Sequence, residues 1–432
     1  MADELHRLTA TEAVALIRKG AISSEDLVRA CLARIEDREP NVGAWEYLDP
    51  GLAIRQARAR DQASAGSGAG GLLHGIPVGI KDILDTADMP TCYGSRARLQ
   101  HQPAVDAACV AHTRAAGGVI LGKTVTTEFA GRYAGKTSNP HDIRRTPGGS
   151  SSGSAAAVAD SMVPLGVGTQ TGGSVIRPAA YCGVFGYKPT FGHISFEGVH
   201  HGAETFDTVG CMARSLDDIR LFRSVLMGFV KAEAPVVTVD LPLRIGYCRT
   251  PKWAEADAAV RDLLDRAAVR LSSAGASVDE LVLPSEFDAL YDLTADLFSV
   301  EYSRSIAAEC LQQPENISAP ARAMVTAAAG ISPEGYIRAL AEVDRLRLAI
   351  NAVLAPYDVI LTPSTGSEAP LGHESTGPVT FTIIWQALSL PCVTIPAFNG
   401  PANMPVGVQI VGARHKDAEL LAHADWIWQQ LA

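Results

Sequence analysis

Apolar residues recur at helical spacing in several parts of the chain. Residues 8–18, 24–37, 257–274 and 418–431 each place apolar side chains three or four positions apart, which is the spacing of one face of an α-helix. A serine or threonine stands at the start of the first two segments and can cap them. The pattern therefore predicts four amphipathic helices.

Short apolar runs of a different kind lie between the helical segments. Runs of this length, bounded by turn-forming residues, are typical of buried strands. They occupy residues 76–80, 119–121, 242–248, 357–361, 392–396 and 406–411. Because strand and helix signals alternate, the pattern predicts an α/β layered fold. The small-residue stretch 63–71 is predicted as a loop, and since no repeat or linker divides the sequence, one domain over residues 1–432 is expected.

Charge and composition exclude several classes of function. The formal net charge of −10 argues against a nucleic-acid partner, because affinity for phosphate comes from clustered lysine and arginine. No secretory signal is visible, and no apolar run approaches the about 20 residues that cross a bilayer. Eight cysteines are spread along the chain without a Cys-x-x-Cys pair, which suits a reducing compartment. We therefore expect a cytoplasmic protein without a membrane partner.

One histidine pair raises the possibility of a metal site. His200 and His201 have Glu197 and Glu204 nearby, but glycines lie on either side of the pair. Such glycines favour a turn over a ligand-bearing helix. We expect no metal site there.

Residues 147–190 contain two turns rich in glycine and serine, at 147–154 and 168–174. This composition is most often that of a flexible linker, but both turns are flanked by apolar, structure-forming segments. Residues 117–124 fit the bare pattern of a phosphate-binding loop, yet a strand is predicted within that motif, where a flexible loop should lie. The two Gly/Ser turns are therefore the better candidates for chemistry.

A serine nucleophile needs a base, and neither turn contains histidine. Lys81 ends the apolar run 76–80, but lysine accepts a proton only when it is neutral. Neutrality near pH 7 requires lowering its pKa by about 3 units from about 10.4, and burial against the strand would do this. A lysine at a strand end is also commonly a surface or structural residue, so both interpretations stay open on this observation alone.

At this point the sequence resembles the amidase signature family. The resemblance is carried by Gly148-Gly-Ser-Ser-Ser-Gly-Ser-Ala-Ala-Ala-Val-Ala159, by Gly168-Thr-Gln-Thr-Gly-Gly-Ser174, by 177–183 and by 186–190. Further similar segments are 75–82, 122–129, 207–210 and 388–412. The resemblance thus touches nearly the whole chain, and residues 170–183 are most similar to the malonamidase-type branch of the family.

The resemblance implies a fold and a reaction. It implies a single α/β domain in which a central mixed β-sheet is sandwiched between helical layers. It also implies hydrolysis of a carboxamide C–N bond through an acyl-serine, without a metal or organic cofactor. Roughly residues 70–215 would form the catalytic core, and roughly residues 285–385 the lid and pocket wall. The expected partners are a small-molecule amide and a second copy of the chain in a homodimer.

The family's Ser-cisSer-Lys triad maps onto three residues of this chain. Lys81 matches the lysine, Ser150 the bridging serine that follows a cis peptide bond, and Ser174 the nucleophile. The two serines are 24 positions apart, as in the family pattern. Lys81 would take a proton from Ser150, which would take one from Ser174 as it attacks.

Further roles follow from the same resemblance. The oxyanion hole is assigned to the backbone N–H groups of Thr171, Gly172, Gly173 and Ser174. A bracing role is assigned to Thr169, and substrate binding to Ser151, Gln170 and Arg177. Lys123 and Asp82 are interpreted as structural, and the aromatic residues Tyr302, Phe381 and Trp385 either line the acyl pocket or belong to the core.

Two departures from the family pattern bear on the substrate. Many members have aspartate where this chain has Gln170, and arginine where it has Ile176; the arginine here is Arg177. Arg177 either braces the loop or binds a substrate carboxylate, for which a guanidinium is well shaped. The alternative functions are a glutamine-dependent transamidation subunit for aminoacyl-tRNA and a non-catalytic binding protein.

Overall fold

Eleven β-strands of the computed structural model form one mixed sheet; the structure describes residues 2–67, 70–229 and 237–432. The strands are β1 (Trp45–Leu48), β2 (Pro77–Lys81), β3 (Val119–Thr124), β4 (Leu165–Gln170), β5 (Phe185–Lys188), β6 (Thr208–Ala213), β7 (Arg244–Tyr247), β8 (Ser277–Glu280), β9 (Val359–Pro363), β10 (Cys392–Asn399) and β11 (Pro405–Val411). Their order across the sheet is β1-β3-β2-β4-β6-β5-β10-β11-β9-β7-β8.

Fourteen α-helices lie within the same described residues. They are α1 (Ala10–Arg18), α2 (Ser24–Val42), α3 (Pro50–Ser67), α4 (Ala108–Ala115), α5 (Ser152–Ala159), α6 (Ile176–Cys182), α7 (Leu216–Leu226), α8 (Ala258–Ser273), α9 (Leu290–Ser305), α10 (Ala307–Gln312), α11 (Ala319–Ala328), α12 (Pro333–Leu354), α13 (Ile383–Ala387) and α14 (Asp417–Leu431). No helix in these ranges combines the length and the apolar composition that crossing a bilayer requires.

Helices pack against both faces of the sheet. Every residue of β2, β3, β4, β6, β9 and β11 is buried, which requires cover on both faces, because successive side chains of a strand point to opposite sides. The predicted α/β fold, with a mixed sheet sandwiched between helices, is confirmed.

Local sequence signals explain several element boundaries. Thr9 caps α1 in a capping box with Glu12, and Ser23 caps α2 in the same way with Asp26. In each box the side chains satisfy N–H groups that a helix start leaves without partners. Gly43 ends α2 in the left-handed conformation that glycine adopts without steric cost. These two helices match their sequence predictions, apart from a later end for α2.

The structure also departs from the sequence predictions. Helix α3 continues to Ser67, so the loop predicted at 63–71 is wrong for its first part, and residues 68–69 lie outside the described residues. The short strands β5 and β6 were not predicted, because runs of four to six residues that contain glycine carry weak periodicity. The helices of 285–385 were not predicted either. Residues 119–124 form β3, so a strand does lie within the apparent phosphate-loop motif.

The pairing of β2, β4 and β6 brings one end of each of these three strands to the same side of the sheet. β2 and β4 are parallel, so the end of β2 at Lys81 and the end of β4 at Gln170 lie on the same side of the sheet. β6 runs antiparallel to β4, and its first residue, Thr208, pairs with Gln170. Residues that follow β2 and β4, and those that precede β6, therefore meet at one place. The candidate site lies there.

Candidate active site

Lys81 is fully buried and contacts two hydroxyl groups. Its Nζ donates to Ser150 Oγ at 2.7 Å and to Thr169 Oγ1 at 2.7 Å. Burial lowers the pKa of Lys81 to about 7, while the negative charge of Asp207 acts in the opposite direction. Near neutral pH a large fraction of this amine is therefore uncharged, as a base must be.

Ser150 lies against Lys81 in the first Gly/Ser turn. The peptide bond between Gly149 and Ser150 is cis. The backbone carbonyl of Ser150 accepts a hydrogen bond from the N–H of Thr127 at 3.2 Å, and the residue is 1 % exposed. Its hydroxyl is thereby held toward the amine of Lys81.

Ser174 lies in the second turn and is tied to the residue that follows Ser150. Its backbone carbonyl accepts a hydrogen bond of 3.3 Å from the N–H of Ser151. Within the described part of the chain its hydroxyl has no hydrogen-bond partner, so the predicted contact between the two serine hydroxyls is not formed. Ser174 is 7 % exposed, against 0 % for Lys81, and is therefore the more accessible end of the arrangement.

The turn before Ser174 presents unused backbone donors. Across the described residues, the N–H groups of Thr171, Gly172, Gly173 and Ser174 have no acceptor. Thr171, Gly173 and Ser174 are buried and Gly172 is half-buried, and buried N–H groups are rarely left without a partner in folded proteins. Four such donors in succession can stabilise an oxyanion that a substrate develops there.

The lack of a side chain at Gly173 is a steric requirement of this turn. A Cβ atom there would overlap Thr382 Oγ1, which donates to the Val379 carbonyl at 2.9 Å. At Gly172 a Cβ would come within 3.3 Å of Ile383 Cδ1. The segment around α13 thus fixes the position of the turn from the outside.

We expect Gly173→Ala to lower kcat/KM by on the order of 100-fold, the effect of losing one oxyanion donor. The added methyl group would push the Gly173 N–H out of position against Thr382. Thr382→Ala in the same chain removes the overlapping oxygen and is expected to restore part of the loss. Steady-state kinetics of both variants tests this, and equal activity of the single and double variants would contradict the steric explanation.

Three further polar residues surround the triad and contact protein atoms. Thr169 contacts Lys81, as its predicted bracing role requires. Ser151 Oγ donates to the Thr169 carbonyl at 3.2 Å and accepts from the Thr169 N–H at 3.2 Å. Gln170 Oε1 accepts from the N–H groups of Val175 and Ile176, at 2.9 and 3.0 Å.

These contacts bear on two predicted roles. Ser151 is fully buried and bonded to the neighbouring strand, and Gln170 is also fully buried, with its Nε2 donating to Gln386 Oε1 at 3.0 Å. Side chains whose polar atoms are occupied in this way hold the turn in place. These contacts favour a bracing role for Ser151 and Gln170, and their substrate-binding role stays a prediction.

Arg177 is a buried cation without a carboxylate partner. Its Nε and Nη2 donate to the Gly149 carbonyl, at 3.2 and 2.6 Å, and its Nη1 donates to the Gly377 carbonyl. Burial lowers the pKa of Arg177 to about 10, so it stays charged at neutral pH. No carboxylate among the described residues pairs with it. These bonds agree with the bracing interpretation, and the unpaired charge leaves carboxylate binding open.

Asp207 is a site residue whose role the sequence did not predict. It is 5 % exposed, and its Oδ1 accepts from Thr171 Oγ1 at 2.6 Å. Its Oδ2 accepts from the backbone N–H groups of Gly202 and Ala203, at 2.8 and 3.0 Å, and lies 3.3 Å from His201 Nδ1. The sequence feature that could have identified Asp207 is its position at the start of the family-like segment 207–210, directly before an apolar strand.

Lys123 and Asp82 form a separate buried group. Lys123 Nζ donates to the Leu84 carbonyl at 2.8 Å and to Thr91 Oγ1 at 2.5 Å, and it lies 3.5 Å from Asp82 Oδ1. Burial raises the pKa of Asp82 to about 6. The contacts tie neighbouring loops together, which agrees with a structural interpretation.

The aromatic candidates for the pocket differ in position. Tyr302 is fully buried in a core cluster, and its hydroxyl donates to the Glu128 carbonyl at 3.3 Å. Trp385 and Phe381 are buried in core clusters. Phe298 was not predicted, yet it lies 3.7 Å from the Cβ position of Gly202. Of the predicted region 285–385, Thr382 and Ile383 contact the turn that contains Gly172 and Gly173, and the bounds of that region stay a prediction.

The described residues contain no group of three or more His, Cys, Asp or Glu side chains that could hold a metal ion. His200 and His201 follow a turn at 197–198 and have different surroundings. His200 stacks on Tyr93 with ring centroids 4.8 Å apart, while His201 packs against Phe196 at 4.5 Å.

Comparison with known proteins gives consistent matches over nearly the whole chain. Residues 26–421 match the family model described as Amidase. A glutamyl-tRNA(Gln) amidotransferase subunit of Anaeromyxobacter sp. (strain K) is 34% identical over 484 residues, covering 100% of this chain and 97% of that protein. A crystal structure of an amidase superposes with a TM-score of 0.92 at 29% identity, covering 98% of this chain and 100% of that one. Peptide amidase from Stenotrophomonas maltophilia gives a TM-score of 0.83 at 28% identity, covering 98% and 96%.

Proposed function

Because the chain belongs to the amidase signature family, we propose that it hydrolyses the carboxamide C–N bond of a small-molecule amide through an acyl-serine on Ser174. One observation carries this proposal: a fully buried lysine, with its pKa lowered to about 7, lies 2.7 Å from the hydroxyl of Ser150. A buried amine of this kind can accept a proton at neutral pH.

The reaction begins with two proton transfers. Neutral Lys81 accepts the proton of Ser150, and Ser150 accepts the proton of Ser174 as the Ser174 oxygen attacks the amide carbon. The Ser174 hydroxyl has no competing partner in the described residues, so no existing bond has to break before it donates to Ser150. Catalytic hydrogen bonds are often long or unaligned before substrate binds.

The intermediate then collapses with the charges balanced. The carbonyl oxygen becomes an oxyanion that accepts from the free N–H groups of the 171–174 turn. Protonated Lys81 returns its proton through Ser150 to the leaving nitrogen, the C–N bond breaks, and ammonia or an amine departs. Water, deprotonated by the same relay, attacks the acyl-serine and releases the carboxylic acid, which restores the free Ser174.

The finer proposal concerns the substrate: an amide that carries a carboxylate on its acyl side. Arg177 is buried, no carboxylate in the described part of the chain pairs with it, and burying an unpaired charge is costly. Two of its five N–H donors remain beyond the three bonds to Gly149 and Gly377. A substrate carboxylate would supply the missing counter-charge and accept from those donors.

We expect Arg177→Ala to lower kcat/KM for a half-amide of a dicarboxylic acid by on the order of 10- to 100-fold, the usual value of a hydrogen bond to a charged group. The matched control substrate is the alkyl amide of the same chain length, for which a small change is expected. Steady-state kinetics on this substrate pair is the measurement. An equal loss on both substrates would mean that Arg177 only braces the loop.

The second candidate function is that of an amidotransferase component, because the relative from Anaeromyxobacter carries that name at 34% identity. Gln170 and Ile176, in place of the usual aspartate and arginine, count against it. The test is hydroxamate formation by the isolated chain from simple amides and hydroxylamine. Product without any added protein supports the hydrolase. Glutaminase activity that needs partner proteins would support the alternative, and no acyl transfer under either condition would support a binding protein.

Light scattering of the same sample tests the predicted homodimer.

A further inference from the structure

A chain of hydrogen bonds connects a partly exposed histidine to the oxyanion turn. His201 Nδ1 lies 3.3 Å from Asp207 Oδ2, and Asp207 Oδ1 accepts from Thr171 Oγ1 at 2.6 Å. The His201 side chain is 40% exposed, whereas the Asp207 side chain is 2% exposed. Protonation of the partly exposed His201 therefore changes the charge beside the buried carboxylate of Asp207, which contacts the turn through Thr171.

The same carboxylate acts on Lys81. Asp207 directly precedes β6, Thr171 follows β4, and Lys81 ends β2, the strand on the other side of β4. Strands in a sheet are about 4.8 Å apart, so backbone positions on either side of β4 lie about 10 Å apart. Burial lowers the pKa of Lys81, and the negative charge of Asp207 raises it in opposition.

The surroundings of His201 favour its protonated form. The pKa of His201 is raised, chiefly by its hydrogen bond to Asp207. Burial lowers this pKa, and the negative charges of Asp207, Glu204 and Glu301 raise it further. Its neighbour His200 is buried and its pKa is lowered to about 4, so His200 carries no charge near neutral pH. His201 is thus the titrating group that shares a hydrogen bond with Asp207.

We propose that His201 is a positioning residue that, by gaining a proton in mildly acidic solution, neutralises the Asp207 charge and keeps Lys81 able to act as a base there. The inference rests on the proposed function of Lys81. It also assigns Asp207 the task of holding Thr171 in the oxyanion turn through the 2.6 Å bond.

The sign of the effect follows from the charges. Only neutral Lys81 accepts a proton, and a negative Asp207 stabilises the protonated, inactive amine. When His201 is protonated, the His201–Asp207 pair has a net charge near zero and that stabilisation weakens. Lys81 then stays neutral to a lower pH. Removing the titrating imidazole should therefore move the acidic limb of activity to higher pH.

The experiment follows the rate at which an arylsulfonyl fluoride labels Ser174 between pH 5 and 9, detected by mass spectrometry. It needs no knowledge of the natural amide. His201→Asn retains a donor to Asp207 but cannot become charged. The acidic limb of this variant is expected roughly half to one pH unit above that of the wild type. This is the size of shift that one charge on the His201–Asp207 pair would cause in the pKa of Lys81 at an effective dielectric constant of about 20. Labelling above pH 8 should stay within about twofold.

Controls separate the possible failures. His415→Asn removes another histidine, whose Nδ1 contacts His193 Nε2 at 2.9 Å, and should leave the profile unchanged. His201→Gln provides a second uncharged variant, and thermal unfolding verifies that each is folded. Coincident acidic limbs, or an equal loss at every pH, would overturn the role of His201 alone. Wild-type labelling that is absent, or that is unchanged in Lys81→Met, would overturn the proposed function and this inference together.

Discussion

Ser174→Ala is expected to abolish amide hydrolysis, with a loss in kcat of at least about 10⁵-fold, as for other serine nucleophiles. The variant keeps the free N–H groups of the turn but has no oxygen with which to form the acyl intermediate. Its fold should be unaffected, because the Ser174 hydroxyl makes no hydrogen bond within the described residues. The measurements are steady-state turnover and the mass of the protein after quenching with substrate.

Ser152→Ala is the matched control for this variant. Ser152 is the first residue of α5, is 3 % exposed, and donates to the Val125 carbonyl at 3.3 Å. We expect it to lose about 1 kcal/mol of stability, the usual net value of one hydrogen bond, and to keep its turnover. Residual hydrolysis by Ser174→Ala above one part in a thousand would require a different nucleophile.

Lys81→Met is expected to lower kcat/KM by on the order of 10³-fold or more, because no other base lies within hydrogen-bonding distance of Ser150 in the described residues. Methionine has nearly the length of lysine, so it fills the same buried space without leaving a cavity. Steady-state kinetics over a range of pH is the measurement, since loss of the base should persist at every pH.

Lys188→Met provides the corresponding control. Lys188 is also fully buried, and its Nζ donates only to the Pro189 carbonyl, at 2.8 Å, among the described residues. Burial lowers the pKa of Lys188 as it does that of Lys81. Both variants should change stability to a similar degree, but only Lys81→Met should lose turnover. Near-normal rates for Lys81→Met would show that another group deprotonates the serine.

Much of the fold could be predicted from the sequence because its signals are local. The apolar run before Lys81 predicted β2, and the apolar spacing at 418–431 predicted α14 almost to the residue. Capping residues located the start of α1 and of α2. The strands β5 and β6 were missed because their pairing is decided by long-range contacts with β4 and β10, which no local pattern records.

The site was predictable in part. The glycine-rich turns and the family resemblance predicted Lys81, Ser150 and Ser174 as site residues, and the structure places Lys81 within hydrogen-bonding distance of Ser150. The orientation of Arg177 and Gln170 depends on which backbone groups surround them, and these lie in distant segments such as 377–386. His201 could not be singled out from sequence, because its importance comes only from the carboxylate that the sheet places beside it.

The charge state of Lys81 is the claim on which the mechanism depends. Lysine labelled with ¹³C at Cε reports the protonation of each amine by NMR, and the Lys81 signal can be assigned as the one absent from Lys81→Met. We expect it to titrate near pH 7, in accordance with its lowered pKa. A Lys81 signal that stays protonated up to pH 9 would contradict the proposed base.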